Sequence, residues 1–283
     1  MRVEQFEEHR PHLRKVAHRM LGSLTEADDA VQEAWLRMDR TDVADVRNPR
    51  GWLTTVVARI CLDMLRARSA RPEEPLDEAD AIATPGTVDP ESEAVLADSI
   101  GVALLVILQT LSPAERLAFV LHDMFDVPYA EIAPIVGRSE NTAAQLASRA
   151  RRRVRGKTPN PAMDLARERR LVDAFLAAAR DGDFDALLAV LDADVVLRVD
   201  AAAAGTPTTI HGAAAVATNA KAFSANARFA EPALVDGAVG IVVAPRGRLA
   251  LVLRFGIAGD KITEVDIDAD PAQLNRLSLA ILD

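Results

Sequence analysis

The residues best suited to a chemical task lie in one stretch, Tyr129 to Val154, reading YAEIAPIVGRSENTAAQLASRARRRV. Two short apolar-periodic helices are separated there by Gly137, Arg138 and Ser139. Ala133, four residues before Gly137, is small enough to let one helix approach the other. Gly137 supplies the sharp turn, with φ expected above zero. Ser139 is placed to cap the second helix. That helix opens with Glu140, Asn141 and Gln145, the short or amide side chains that reach base edges in the major groove. Arg149, Arg151, Arg152, Arg153 and Arg155 follow, suited to phosphates. The pattern is that of a DNA-binding helix-turn-helix. A plain helical hairpin with a solvated arginine face is the competing reading.

Charge along the chain agrees with local contact to nucleic acid. The net charge is −9, but its distribution counts for more than its sum. Arg47 to Arg71 holds six arginines against Asp63, and Arg138 to Lys157 holds seven basic residues against Glu140. Glu73 to Asp98 between them holds nine acids and no base. Phosphates repel such a connector and attract the blocks on either side.

The elements that must position these blocks are helical. Phe6, Leu13, Val16, Ala17, Met20 and Leu21 recur at helical spacing. Gly22 permits a stop, Thr25 is a candidate cap, and Ala27, Ala30, Val31, Ala34, Trp35 and Met38 continue the pattern. Asn48 to Gly51 reads as a turn, and a long helix runs from Trp52 to about Arg68. The segment 71–98, with four prolines and many acids, reads as a linker that buries no core. Ser112-Pro113-Ala114-Glu115 is a capping box opening a helix that continues through Leu117 to Met124. Pro134 falls within the first turn or so of its helix, where a missing N–H is tolerated. Lys157 to Pro161 is a second short linker. Beyond it come two amphipathic helices, then strand-like runs at 195–199, 233–243, 248–258 and 261–268, with a Gly259-Asp260 hairpin turn. Two helices leading into an antiparallel sheet make an α+β domain.

Three blocks resemble the extracytoplasmic-function (ECF) sigma factors of the sigma-70 family, in that family's order. LTEADDAVQEAWLRM (24–38) resembles the region that grips RNA polymerase. NPRGWLTTVVARICLDMLRARSAR (48–71) resembles the part that opens and reads the −10 promoter element. LSPAERLAFVLHDMFDVPYAEIAPIVGRSENTAAQLASRARRRV (111–154) resembles the domain that reads the −35 element. The resemblance implies core RNA polymerase and promoter DNA as partners. It implies polymerase contacts by Asp28, Asp29, Gln32, Glu33 and Trp35, and −10 contacts by Asn48, Arg50, Trp52, Arg59 and Arg66. It implies −35 contacts by Ser139, Asn141, Thr142, Gln145, Arg149, Arg152 and Arg153. Trp52 and Trp35 can also be read as packing residues.

Residues 165–283 resemble the SnoaL-like fold, on Arg170 to Asp200 and on Ile210 to Val216. An ECF subgroup carries such a domain, which there modulates the sigma core. Two of that subgroup's motifs differ here: Arg71-Pro72-Glu73-Glu74-Pro75 lacks a tryptophan and leucine, and Ala201 to Ala204 stand where glycines are usual. The expected architecture is multidomain: two all-α sigma domains, the second a helix-turn-helix, followed by an α+β SnoaL-like cone domain. Its boundaries are 1–71, a linker at 72–98, 99–157 and 162–283, with the last domain contacting the sigma core intramolecularly.

Other functions are less well supported by the residues. The lone Cys61 leaves no internal disulfide and no multi-cysteine metal site, and is expected as a buried thiol. No cofactor, metal or catalytic residue is expected. Asp200, His211, Asp266 and Asp268 are the acid–base candidates in the last domain, and structural roles suit them better. No apolar run reaches about 20 residues, so a cytoplasmic protein without membrane contact is expected. The alternatives are a one-component DNA-binding regulator, a DNA-linked SnoaL-like enzyme, or a small-molecule sensor.

Overall fold

The computed structural model describes residues 3–39, 48–70, 101–156, 164–222 and 227–282. The two linkers read from composition lie outside these residues.

The described residues divide into two compact units. The first takes residues up to 70 together with Leu108–Arg153. It contains α1 (Val3–Leu21), α2 (Leu24–Asp39), α3 (Pro49–Ala70), α5 (Pro113–Phe119) and α6 (Tyr129–Val136), the end of α4 (Val102–Gln109) and most of α7 (Glu140–Arg155). Phe6, Leu13, Val16, Ala17 and Met20 are buried, as their spacing requires. In α3, Leu53, Val57, Cys61 and Leu65 bury one face. Burial pushes the Cys61 thiol up to about 12, so this cysteine is inert.

Three local readings change. Asn48 is a helix cap rather than part of a free turn: its Oδ1 accepts from Gly51 N–H at 3.0 Å, and Pro49 is already helical. The cap of α2 is Ser23, whose Oγ accepts from Glu26 N–H at 3.4 Å, and not Thr25. The helix opened by the Ser112 capping box does not run on as one α-helix. It widens into a π-helical turn at Val120–Met124, after which Asp126 takes φ 54°. Hydrophobic spacing cannot tell an α-turn from a π-turn over one turn.

Within this unit, α3 packs against the pair α1 and α2 and against the pair α5 and α6. Arg116 of α5 joins the two sets. Its buried Nη1 donates to the Met20 carbonyl at 2.9 Å. That carbonyl belongs to the last turn of α1, where backbone acceptors lack helical partners and a cation is favoured. Gly22, at φ 79°, turns the chain away. Burial lowers Arg116 to about 10, with Arg68 adding repulsion.

The second unit takes 101–107 and the residues from Val154 onward. Two helices, α8 (Leu165–Asp181) and α9 (Phe184–Val190), lead into a seven-stranded sheet. The strands are β1 (Leu191–Val199), β2 (Thr208–His211), β3 (Ala230–Val235), β4 (Ala238–Val243), β5 (Leu251–Ala258), β6 (Lys261–Asp268) and β7 (Leu279–Ala280), in the order β2-β1-β6-β5-β4-β3-β7. Short helices α10 (Ala201–Ala204), α11 (Ala213–Ala222) and α12 (Pro271–Leu274) fill the connections. Val172, Phe175, Leu176 and Ala179 of α8 join the core with Ile241, Leu253 and Val265 of the sheet.

The α+β reading holds, with two corrections. The sheet is mixed, because β1 pairs parallel with β6 while its other pairs are antiparallel. An alternating pattern marks a strand but not its direction. The single run at 233–243 is a hairpin, split by Asp236 at φ 53° and Gly237 at φ 91°. This Asp-Gly pair is the preferred type I′ sequence, so the signal was present in the chain. The Gly259-Asp260 turn joins β5 and β6 as expected.

Candidate nucleic-acid interface

The helix-turn-helix is built by α6 and α7. Gly137 ends α6 at φ 69°, ψ 41°, its N–H donating to Ala133 O, and Arg138 N–H donates to the same carbonyl at 3.0 Å. Pro134 lies in the second turn of α6, exposed, two residues before the helix ends. Ser139 Oγ accepts from Thr142 N–H at 3.3 Å and meets Thr142 Oγ1 at 2.9 Å, capping α7. The buried stripe of α7 is Ala143, Ala147, Ala150 and Val154. Such small side chains let α7 lie close to its supporting helices. The opposite face exposes Asn141, Gln145, Arg149 and Arg152, at steps of four, four and three residues. Amides thus come first and guanidiniums last along one outward stripe.

The neighbouring arginines differ from these. Arg153 Nη1 lies 2.9 Å from Glu115 Oε2, the capping-box carboxylate that also accepts from Ser112. Arg151 donates to Tyr129 Oη at 2.8 Å and lies 3.1 Å from Asp123. Tyr129 stacks on His122 at 3.8 Å, and the His122 ring contacts the Val127 carbonyl through Nδ1 at 3.0 Å. The π-turn brings His122 and Asp123 to this cluster, which anchors α7 to the start of α6. Residue spacing gave no hint of the network, because the contact of Tyr129 with Arg151 spans 22 positions.

At α3, Asn48, Arg50 and Trp52 share the first turn, while Trp52, Arg59 and Arg66 repeat every seven residues along one face. They span roughly 21 Å at 1.5 Å per residue. Arg59 and Arg66 are exposed and Trp52 is half-buried. Arg50 Nη2 lies 3.1 Å from His12 Nδ1, and His12 Nε2 lies 3.0 Å from Thr54 Oγ1. Burial first, then Arg50, lowers His12 to about 4, so it is neutral at pH 7. Arg68 is held by Glu26.

The α2 candidates divide in the same way. Asp29 and Gln32 are exposed and share a face with Leu36, an exposed large apolar side chain. Asp28 is gripped by Arg14 through both carboxylate oxygens, at 2.7 and 3.1 Å. Glu33 pairs with Arg37 at 2.8 Å. Trp35 turns inward, its ring 5.0 Å from Phe6 in an edge contact. Of the two apolar candidates on this helix, Leu36 and not Trp35 is the one presented outward.

The four acid–base candidates of the second unit do not meet. Asp200 Oδ1 accepts from Ala203 N–H at 2.8 Å, and its Oδ2 accepts from Ala269 and Asp270 N–H at 2.7 and 2.8 Å. Asp266 and Asp268 bind Arg198 and Arg254 on the outer sheet face. His211 is exposed beside Val196 on that face. Among the described residues no group of histidine, cysteine or carboxylates could hold a metal, and no helix is long and apolar enough to cross a membrane.

Comparison with known proteins gives one consistent set of relatives. Residues 5–71 match the model of sigma-70 region 2, and 101–154 match that of sigma-70 region 4. The chain is 36% identical over 272 residues to the probable ECF RNA polymerase sigma factor SigI of Mycobacterium tuberculosis, covering 95% of this chain and 93% of that one. It is 40% identical over 215 residues to the ECF RNA polymerase sigma factor SigJ of the same organism, covering 71% and 65%. The crystal structure of SigJ aligns with 96% of this chain and 98% of its own at 32% identity, with a TM-score of 0.47.

Proposed function

Because this chain belongs to the family of ECF RNA polymerase sigma factors, we propose that it carries core RNA polymerase to promoters and starts transcription there. The outward stripe Asn141, Gln145, Arg149 and Arg152 carries this reading. Its amides are placed for base edges of the −35 element, with Ser139 and Thr142 capping beside them and the arginines on phosphates. Arg153 contributes when it leaves Glu115. The face Trp52, Arg59 and Arg66, with Asn48 and Arg50 at its head, takes the −10 strand. Its cations follow the opened backbone and its indole offers a stacking surface. Asp29, Gln32 and Leu36, flanked by Asp28, Glu33 and Trp35, form the polymerase-binding face.

The helix-turn-helix and the α3 face sit in one compact unit. The two promoter elements lie about 25 base pairs apart, which at ~3.4 Å per step is roughly 85 Å of duplex. Elements packed side by side do not reach that far, so this packing is an off state and the buried Arg116 contact must open. The fused last domain regulates that opening. Ile281 N–H donates to the Val154 carbonyl at 3.0 Å, at the end of α7. Glu231 Oε2 accepts from Ala103 N–H at 3.0 Å, at the start of α4. The boundaries 1–71, 99–157 and 162–283 describe the parts that move. Among the described residues, Asp200, His211, Asp266 and Asp268 serve as cap, exposed strand residue and surface ion pairs. The chain acts in the cytoplasm, where polymerase and promoters are found.

Run-off transcription with purified core polymerase and the full chain, with and without residues beyond Asn160, tests this. Start-site selection by the core enzyme is expected in at least one form. Promoter binding by the chain alone, with no effect of polymerase, would instead establish a one-component regulator.

A further inference from the structure

His12 of α1 is not among the residues of the −10 face, yet it holds the first arginine of that face. Arg50 Nη2 lies 3.1 Å from its Nδ1, and Thr54 Oγ1 lies 3.0 Å from its Nε2. Thr54 Oγ1 in turn donates to the Arg50 carbonyl at 2.8 Å. The chemistry of the three groups fixes every direction. A guanidinium only donates, so Nδ1 accepts with its lone pair. The neutral ring then carries its proton on Nε2 and donates it to Thr54 Oγ1. The Thr54 hydroxyl has one hydrogen, and the Arg50 carbonyl takes it. The three bonds form a closed cycle that leaves Arg50 through its guanidinium and returns to its backbone.

Arg50 occupies a place that does not favour a cation. It is the second residue of α3, and no acid stands in that first turn. The helix dipole is positive at this end, so the guanidinium adds charge of the same sign. Its side chain is exposed. Dipole and cation together attract an anion. A free arginine samples many rotamers, and fixing it before the anion arrives removes that entropic cost from binding. The cycle does this, and its three members belong to α1 and α3 alone. Phe125, at the end of the π-turn, touches the His12 ring edge-on at 5.4 Å, but no bond of the cycle passes through it.

We propose that His12 is a positioning residue for promoter opening: it fixes the Arg50 guanidinium where a phosphate of the unpaired −10 strand arrives. This rests on the −10 reading of α3 given above. His12 itself touches no DNA. Its neutral form is required, because a proton on Nδ1 would face the guanidinium. Burial first, then Arg50, with His9 and Lys15 adding, keep the ring in that form.

Two measurements on the full chain test the role of His12, the first without DNA. Nitrogen NMR of the histidine rings, with His12→Asn identifying the His12 signals, is expected to show the proton on Nε2 and a bare Nδ1. A proton on Nδ1 overturns the inference. In the second, holoenzyme reconstituted with core polymerase binds a fluorescein-labelled single-stranded DNA of random sequence, followed by anisotropy. Arg50→Ala is expected to weaken binding about tenfold. His12→Leu, which fills the space but offers no lone pair, is expected to weaken it about threefold or more. His12→Asn, whose Oδ1 stands where Nδ1 stood, is expected to bind as the unmodified chain does. Added to Arg50→Ala, His12→Leu is expected to cost nothing further. Unchanged binding in His12→Leu, failure of His12→Asn to restore binding, or a full added loss in the double variant overturns the role of His12 and leaves the −10 reading of Arg50 standing. Unchanged binding in Arg50→Ala, with the His12 proton on Nε2, refutes that −10 reading and the inference with it. The NMR result stands even if His12→Leu fails to fold.

Discussion

Four of the five arginines of α7, Arg149, Arg151, Arg152 and Arg153, are chemically alike, but the structure sets them different tasks, and salt dependence distinguishes them. Arg149 and Arg152 are exposed on the stripe that carries Asn141 and Gln145. Arg153 is paired with Glu115 at 2.9 Å, and Arg151 with Asp123 and Tyr129. Each phosphate neutralised by the protein adds about 0.9 to the slope of log affinity against log salt. Arg149→Ala and Arg152→Ala should each flatten that slope by about 0.9. Between 50 and 200 mM salt, wild-type binding should then fall ~3.5-fold more than that of either variant. Arg153→Ala should flatten it by well under half as much, because this guanidinium must leave a carboxylate before it can reach a phosphate. Arg151→Ala should lower stability before it changes the slope. The assay is fluorescence anisotropy of a −35 duplex with reconstituted holoenzyme across a salt series. Equal slope changes for Arg149, Arg152 and Arg153, or the largest change at Arg153, would refute the assignment.

Three further outcomes are expected. Tyr129→Phe keeps the stack on His122 but removes the acceptor of the Arg151 bond, and should cost about 1 kcal/mol in chemical denaturation. His18, buried in α1, is lowered to about 4, by burial first and by Arg19 and Arg14, with Asp28 opposing. A depressed histidine contributes stability above its unfolded value of 6.5, and that contribution is lost as pH falls toward 4. From pH 7 to 5 the loss is at most about 2 kcal/mol, and thermal melts should show a flatter decline in His18→Gln. Asp200→Asn should destabilise the second unit by about 1–3 kcal/mol, since Asp200 serves three backbone N–H groups; it should leave polymerase binding by the folded protein unchanged. Calorimetry that resolves the two units, paired with polymerase pull-down, checks this.

Local chemistry made much of the protein legible in its sequence. Gly137, Ser139 and the Ser112–Glu115 box act within four residues of themselves, so turn, cap and helix start could be read directly. Asn141, Gln145, Arg149 and Arg152 are spaced at the helical period, so the face they share is compatible with the −35 set that the family resemblance implied, and the buried faces of α1 and α3 show the same period. The Asp236-Gly237 hairpin is readable by the same logic. Contacts between distant residues were another matter. Spacing cannot show that Arg153 meets Glu115, that Trp35 turns onto Phe6, or that Asp28 lies against Arg14. Nor can it show that β1 runs parallel to β6, or that this register turns Asp266 outward. These depend on which elements pack together, and burial energy is non-directional until tertiary structure supplies each face with a partner.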